Sequence, residues 1–320
     1  MIQSLGLEHD LQEIQTPSAK PGVERLEQSV EPMQIASDDA RVEPQNGNES
    51  AQGRSEVATT DSAKPANMSV SNASDSARGA GGLESVVTEE VSLDPLSRVV
   101  FHSDPSGLGA DRFRYLRMRL RERANAGKLK SLLVTSPMPL DGKSTTALNL
   151  ATALAERGEN AVLLLEADLY HPVVAERLRL RDGPGLAECL VSGMNPISAL
   201  RRITPLGLYL LPGGRALENP GDLLHGDEFA KVMQILSPHF KWIVIDAPPV
   251  APLADALALA RYADASLLVV RAGQTSAEAV ETAIESLGAK HVLGVVLNGV
   301  QGLARRYAKY NKYYRRSTPL

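Results

Sequence analysis

Ser131-Leu-Leu-Val-Thr-Ser-Pro-Met-Pro-Leu-Asp-Gly-Lys-Ser-Thr145 is the stretch that decides the fold. An apolar run enters a tight loop, and Gly142-Lys143-Ser144 then opens a segment of helical character. Strand, glycine-bearing loop and helix, in that order, form the setting in which a Gly-Lys-Ser triplet binds phosphate. Glycine lets the backbone approach an anion closely, while successive amide N–H groups and the helix N-terminus face it. Pro139, Leu140, Asp141, Gly142, Lys143, Ser144 and Thr145 are therefore expected to line a nucleotide's phosphates. Lys143 would meet the β and γ phosphates, and the Ser144 hydroxyl would ligate Mg²⁺. The first glycine usual in such loops is Pro137 here.

Outward from the loop, apolar runs stand at 130–135, 161–165, 207–211, 242–245, 265–270 and 292–297. Helix-like stretches at 144–157, 172–179, 186–192, 226–236, 253–262 and 276–287 alternate with them. Short, wholly apolar strands alternating with helices predict an α/β fold of the P-loop NTPase type: a mostly parallel sheet with helices on both faces. Acids at the carboxyl ends of buried parallel strands lie where ligands bind in such sheets. The second run ends Glu166-Ala-Asp168 and a later one ends at Asp246. Asp246 and Asp168, with Ser144, are the candidate metal ligands. Glu166 and Asp168 lie two apart, share a face if extended, and are candidates to orient metal-bound water or accept a proton. With Lys143 and Asp246 they form the expected catalytic set.

The flanks read differently. Residues 1–95 hold 17 acidic and 6 basic side chains and no Phe, Trp or Tyr, so they are near −11 and the remainder is near +7. Such a segment buries too little apolar surface to offset the entropy of ordering it, so 1–95 is expected to be disordered, with at most a short helix near Ile2–Ile14. A nucleotide-binding domain is expected over 105–300, and a flexible basic tail over 301–320. One cysteine, Cys189, excludes an intrachain disulfide and is read as a core residue. No apolar run is long enough to span a membrane and no signal peptide is evident, so the expected location is cytoplasmic. The tail, Arg305-Arg-Tyr307-Ala-Lys-Tyr310-Asn-Lys-Tyr313-Tyr314-Arg-Arg316, carries four of the eight tyrosines among six basic residues. By itself such a tail can stack on nucleic acid, hold an anionic membrane, or enter a neighbour's active site.

Together these segments resemble the bacterial tyrosine kinases of capsule and exopolysaccharide systems, part of a deviant P-loop group that includes partition ATPases. The resemblance covers about residues 105–316. It rests on Thr135-Ser136, Pro139 and Gly142-Lys143-Ser144-Thr145, with Asn149-Leu150-Ala151 on the helix; on Glu166-Ala-Asp168-Leu-Tyr170-His-Pro172; and on Ile243-Val-Ile-Asp246-Ala-Pro-Pro249 followed by Asp255. Gly185-Leu186, Leu211-Pro212 through Gly214, and Asn219-Pro220 through Leu223-Leu224 are further signposts. Leu140 replaces a frequent Gly, Glu166 a usual Asp, and Tyr170 a usual Arg. Glu adds one methylene to the reach of a group whose hydrogen-bond distance is only about 2.6–3.2 Å.

The resemblance implies a protein-tyrosine autokinase using ATP and Mg²⁺, with Asn298 added to the nucleotide site. Tyr307, Tyr310, Tyr313 and Tyr314 would be phosphorylated in trans around a ring-like homo-oligomer. Asp111, Arg114 and Arg117, in place of the family's Glu-x-x-Arg-x-x-Arg, would mediate self-association. Implied partners are a membrane-embedded polysaccharide co-polymerase that recruits the chain to the inner face of the plasma membrane, and a cognate tyrosine phosphatase; no nucleic acid is expected. An ATP-driven partition switch and a kinase-inactive regulator of polysaccharide assembly are the rival readings.

Overall fold

Side chains alternate strictly along the central strands, and both faces are apolar. Leu132, Val134, Val162, Leu164, Trp242 and Val244 bury into one core, while Leu133, Leu163, Leu165, Ile243 and Ile245 bury into another on the opposite face. A strand apolar on both faces has to be covered on both. The computed structural model describes residues 2–3 and 82–300, apart from 95, 96, 126, 128, 157, 159 and 253.

Strands are β1 Ile2–Gln3, β2 Val87–Glu90, β3 Ser131–Thr135, β4 Val162–Glu166, β5 Arg201–Thr204, β6 Leu208–Leu211, β7 Trp242–Asp246, β8 Ala265–Arg271 and β9 Val292–Asn298. Helices are α1 Val100–Ser103, α2 Leu108–Asn125, α3 Lys143–Ala155, α4 Val174–Arg177, α5 Leu186–Ser192, α6 Pro196–Ala199, α7 Gly221–His225, α8 Asp227–Leu236, α9 Asp255–Ala260 and α10 Ala277–Leu287. Among the described residues the sheet order is β1-β9-β8-β3-β7-β4-β6-β5-β2. The six strands from β9 to β6 are parallel; β1 and β5 run against their inner neighbours. β3 lies between β7 and β8, and the chain leaves it through α3 to β4, beyond β7. That strand-order switch opens a crevice at the carboxyl ends of β3, β4 and β7, where ligands of open α/β sheets bind.

Helix positions follow from apolar spacing. On α8, Phe229, Val232, Met233 and Leu236 recur at three and four residues and are buried. Buried Cys189 packs in the same core, and burial pushes its thiol up to about 11.

Two expectations need correction. The expected disordered segment 1–95 includes β2, which pairs in parallel with β5 from Val87–Arg201 to Glu90–Thr204, and buried Val91 behind it. It also includes β1, a two-residue strand paired with β9, in the stretch that was allowed at most a short helix. β2 side chains are largely exposed, so no apolar pattern marks it; the free backbone edge of β5 supplies the ordering. β5 itself is absent from the apolar runs because only Ile203 of Arg201-Arg-Ile-Thr204 is buried. The rest of the expected disorder, at 4–81, and the tail 301–320 lie outside the described residues.

Candidate active site

β3 ends in the loop 136–142, and α3 begins at Lys143. Gly142 has φ +100°, and a Cβ there would lie 2.1 Å from Asn298 Nδ2, so only glycine fits. Leu140 has φ +66° and is exposed, an uncommon backbone state for a bulky residue, which gives the physical reason a glycine suits that position. The loop is held from behind by the ends of β8 and β9. Asn298 donates to the Asp141 carbonyl at 2.9 Å, and Arg271 Nη1 to the Leu140 carbonyl at 3.1 Å. The Asp141 carboxylate, buried, accepts from the Thr275 hydroxyl at 2.6 Å and the Met138 N–H at 3.2 Å. Asp141 and Asn298 thus brace the loop from the side away from the cradle's amides. The Asp141 carboxylate is taken by protein donors, so the phosphate contact expected of this residue falls to its main-chain N–H.

Lys143 Nζ lies 2.6 Å from Asp168 Oδ2 and 3.5 Å from the Ser144 hydroxyl. Burial works against its ammonium, but Asp246 and Asp168 outweigh it and hold the pKa above the usual lysine value. Among the described residues, Asp168 Oδ1 accepts a long 3.3 Å bond from the His171 N–H.

Asp246, at the end of β7, is wholly buried, and neither of its oxygens has a hydrogen-bond partner among the described residues. Burial pushes its carboxyl up to about 7, against the pull of Lys143 and with further upward pressure from Glu166; the nearby Ser144 hydroxyl eases it only slightly. A buried, unpartnered carboxylate beside a serine hydroxyl and a second acid is an all-oxygen donor set for a hard cation. Among the described residues no group of three or more His, Cys, Asp or Glu could cage a metal. Mg²⁺ needs no such cage, because it keeps waters and binds through one or two carboxylates plus substrate phosphates. The residues fit Mg²⁺ on those terms.

Glu166 differs from its expected role. Oε1 accepts from the N–H groups of Val173 at 2.6 Å and Val174 at 2.7 Å, and Oε2 from that of Gly213 at 2.8 Å. Burial pushes its pKa up against these donors. With both oxygens occupied, it is a brace and not a free proton acceptor. Its extra methylene is used to span from β4 to the start of α4 and to the 211–214 turn. That turn in turn accepts the N–H groups of Leu186 and Ala187 at the head of α5, which accounts for the signpost glycines there.

Tyr170 lies near two acids, Asp255 and Asp168. Partial burial and the neighbouring Asp255 carboxylate, then Asp168, raise its pKa. Asp255 Oδ1 is 3.1 Å from His225 Nε2. Arg177 was missed from the sequence, because nothing in its spacing marks it. It donates to the Thr145 hydroxyl at 2.7 Å. Arg98 was missed as well; its φ is +54° and its carbonyl accepts from Asn149 at 2.9 Å.

The expected self-association set is used within the chain. Arg114 pairs with Glu156 at 2.6 Å and with Asp111 at 3.2 Å, and Arg117, largely buried, pairs with Glu156 at 2.5 Å and donates to the Ala153 carbonyl. Burial disfavours the Glu156 charge, but the two arginines hold its carboxyl below the usual range. In this chain Arg114 and Arg117 tie α2 to the end of α3. The four tail tyrosines lie outside the described residues.

No protein-family model matches the chain. Tyrosine-protein kinase YwqD of Bacillus subtilis is 30% identical over 217 residues, which is 67% of this chain and 89% of that one. Putative tyrosine-protein kinase CapB of Staphylococcus aureus is 28% identical over 206 residues, 63% of this chain and 90% of that one. Other relatives are much longer: the match covers 27% of tyrosine-protein kinase ptk of Acinetobacter johnsonii, at 28% identity and 62% of this chain. Among solved structures, the BceF tyrosine kinase domain is 28% identical with a TM-score of 0.57, covering 63% of this chain and 82% of that one. The kinase domain of Escherichia coli tyrosine kinase ETK, at 24% identity and TM-score 0.60, covers 63% and 80% and shares the fold.

Proposed function

The chain belongs to the bacterial tyrosine-protein kinase family, and from that premise we propose that it is an ATP-dependent autokinase that phosphorylates its own C-terminal tyrosines and regulates exopolysaccharide or capsule production. The observation that carries the reading is the pairing of Lys143 with Asp168 beside the unpartnered, buried Asp246 at the head of α3.

The loop amides and Lys143 hold the phosphates in line with an incoming tyrosine hydroxyl. Ser144 and Asp246, with Asp168 at hand, would hold Mg²⁺, which supplies neutralisation of charge on the phosphoryl group when bound. Asp168 takes the tyrosine proton. Its Oδ1 is the oxygen left to do so, since Lys143 occupies Oδ2. The tyrosine O–H bond breaks as its oxygen bonds to the γ-phosphorus, and ADP leaves. Glu166 does not enter the proton step; it fixes the segment that carries Asp168.

Acceptors are Tyr307, Tyr310, Tyr313 and Tyr314, offered by one copy to another in a homo-oligomer. Each phosphate adds about −1.5 to −2 of charge to a basic segment and changes how it meets acidic surfaces. No described helix is long and apolar enough to cross a membrane. A membrane-embedded co-polymerase partner would bring the chain to the membrane's inner face. The test is phosphotyrosine analysis after incubation with Mg·ATP. Wild type is expected to label, and Lys143→Met to lose label with an unchanged melting transition. Normal labelling of that variant would sink the site assignment.

A further inference from the structure

Leu140 costs free energy twice. Its backbone lies in the left-handed region, at φ +66°, and its side chain is 87% exposed. A bulky residue holds such a backbone state only where its surroundings impose it, and glycine would hold it without strain. Leu140 does not stand alone. Met138 and Pro139 precede it, both exposed. Exposed Ala251 and Pro252 adjoin the same loop, where the Ala251 N–H donates to the Pro137 carbonyl at 3.3 Å. A run of exposed apolar residues is a fault unless something packs on it. We propose that Met138, Pro139 and Leu140 form an apolar seat for the tyrosine ring that a second copy of the chain presents to the phosphate loop. The inference rests on the autokinase reading proposed above and adds to it the surface that holds the acceptor.

The main chain beneath these side chains is fixed. The Leu140 carbonyl accepts from Arg271 Nη1 at 3.1 Å, and the next carbonyl, of Asp141, accepts from Asn298 Nδ2 at 2.9 Å. The Met138 N–H donates to the Asp141 carboxylate at 3.2 Å, and the Met138 carbonyl accepts from the Ser136 hydroxyl at 2.7 Å. A held backbone that carries exposed apolar side chains is a preformed contact surface, and little ordering entropy is lost when a partner packs on it.

What packs there follows from the reaction. The same loop carries the amides assigned to the phosphates. An acceptor tyrosine brings its hydroxyl to the γ-phosphate, and that hydroxyl is the polar tip of an apolar ring. The body of the ring then lies against whatever borders the phosphates, and on the loop that border is Met138-Pro139-Leu140. Residues 307–314 hold four tyrosines among one Ala, one Asn and two Lys, so the rings are their main apolar surface. The chain's own segment continues from β9, whose Asn298 meets the loop at the Asp141 carbonyl, on the side away from the cradle's amides. A second copy meets the exposed side of the loop directly.

The test uses the full chain with Mg·ATP and a synthetic peptide of residues 301–320 as acceptor. It compares wild type, Leu140→Gly, Leu140→Met and Met138→Ser. Leu140→Gly removes the apolar side chain and the strain together, so its melting transition is expected at or above that of wild type. The peptide's KM is expected to rise about 5–10-fold in Leu140→Gly and about 3–5-fold in Met138→Ser, the scale of a lost apolar side-chain contact. The KM for Mg·ATP should rise less, and Leu140→Met should keep the peptide's KM close to that of wild type. Wild-type autophosphorylation should quicken per chain as protein concentration rises. A peptide KM within about twofold of wild type in both Leu140→Gly and Met138→Ser overturns the seat and leaves the autokinase reading standing. So does a KM for Mg·ATP that rises as much as the peptide's, which would assign Leu140 to the nucleotide. A rate per chain independent of concentration would put the chain's own segment on the loop and overturn the second copy as occupant. A wild type that labels neither peptide nor tail overturns the autokinase reading, and the seat with it.

Discussion

At the residue scale, the site is built on charge held in expensive places. Asp246 is buried, its oxygens have no hydrogen-bond partner among the described residues, and its carboxyl is pushed up to about 7. A carboxyl with a raised native pKa binds protons that the unfolded chain has released. Its contribution to stability is therefore full below the unfolded value of 3.8 and lost as pH rises through about 7. The metal-free protein is expected to lose stability from pH 4 to 7 through this group, and Asp246→Asn to remove that part of the slope. Melting curves across the range check it; an identical slope in the variant would show that Asp246 is not the group. At pH 8 the variant should melt higher than wild type while transferring no phosphate. Glu166 illustrates the opposite use of a buried acid. Three backbone N–H groups satisfy it, so it organises α4 and the 211–214 turn and has no free oxygen for a proton. Sequence reading saw a carboxylate at a strand end and could not see that its donors come from segments 7 and 47 residues away.

At the element scale, β2 adds Val87–Glu90 to the sheet at the edge of β5. Its four residues pair with β5, and Val91 is buried behind them. A chain starting at residue 82, which keeps β2 and loses the two-residue β1, is expected to bind nucleotide and serves as the reference. One starting at residue 96 loses β2 and exposes the β5 edge. Its midpoint should fall by roughly 4–8 °C, the shift for a loss of about 2 kcal/mol in a domain of this size. Differential scanning calorimetry of the two truncations decides it; equal midpoints would mean β2 adds nothing. The central strands were legible because their apolar runs are continuous, whereas β2 and β5 are not, since their exposed edges need no apolar side chains. α2 and α3 were legible too. The destination of Arg114 and Arg117 was not, because Glu156 reaches them from 39 residues or more away.

At the scale of the whole molecule, phosphate transfer has to run between copies if one chain's tail serves another's site. A Lys143→Met chain mixed with an active chain lacking residues 301–320 is expected to acquire phosphate on Tyr307, Tyr310, Tyr313 and Tyr314. Mass spectrometry after incubation with Mg·ATP reads the sites. An unlabelled tail, with the intact protein also lacking phosphotyrosine in the presence of its membrane activator, would sink the autokinase reading.

The sequence by itself determined the layered α/β fold, the phosphate loop and the acids at the ends of β4 and β7. Those features are local: they follow from the period of apolar residues, the backbone freedom of Gly142 and the order of strand, loop and helix. The tertiary structure alone decided how the acids divide their work. Asp246 was left without a hydrogen-bond partner among the described residues, Asp168 was paired with Lys143, and Glu166 was saturated by backbone N–H groups. It also brought Arg177 to the Thr145 hydroxyl. Burial and hydrogen-bond partners come from segments far apart in the chain, and a carboxylate or guanidinium takes its role from those partners.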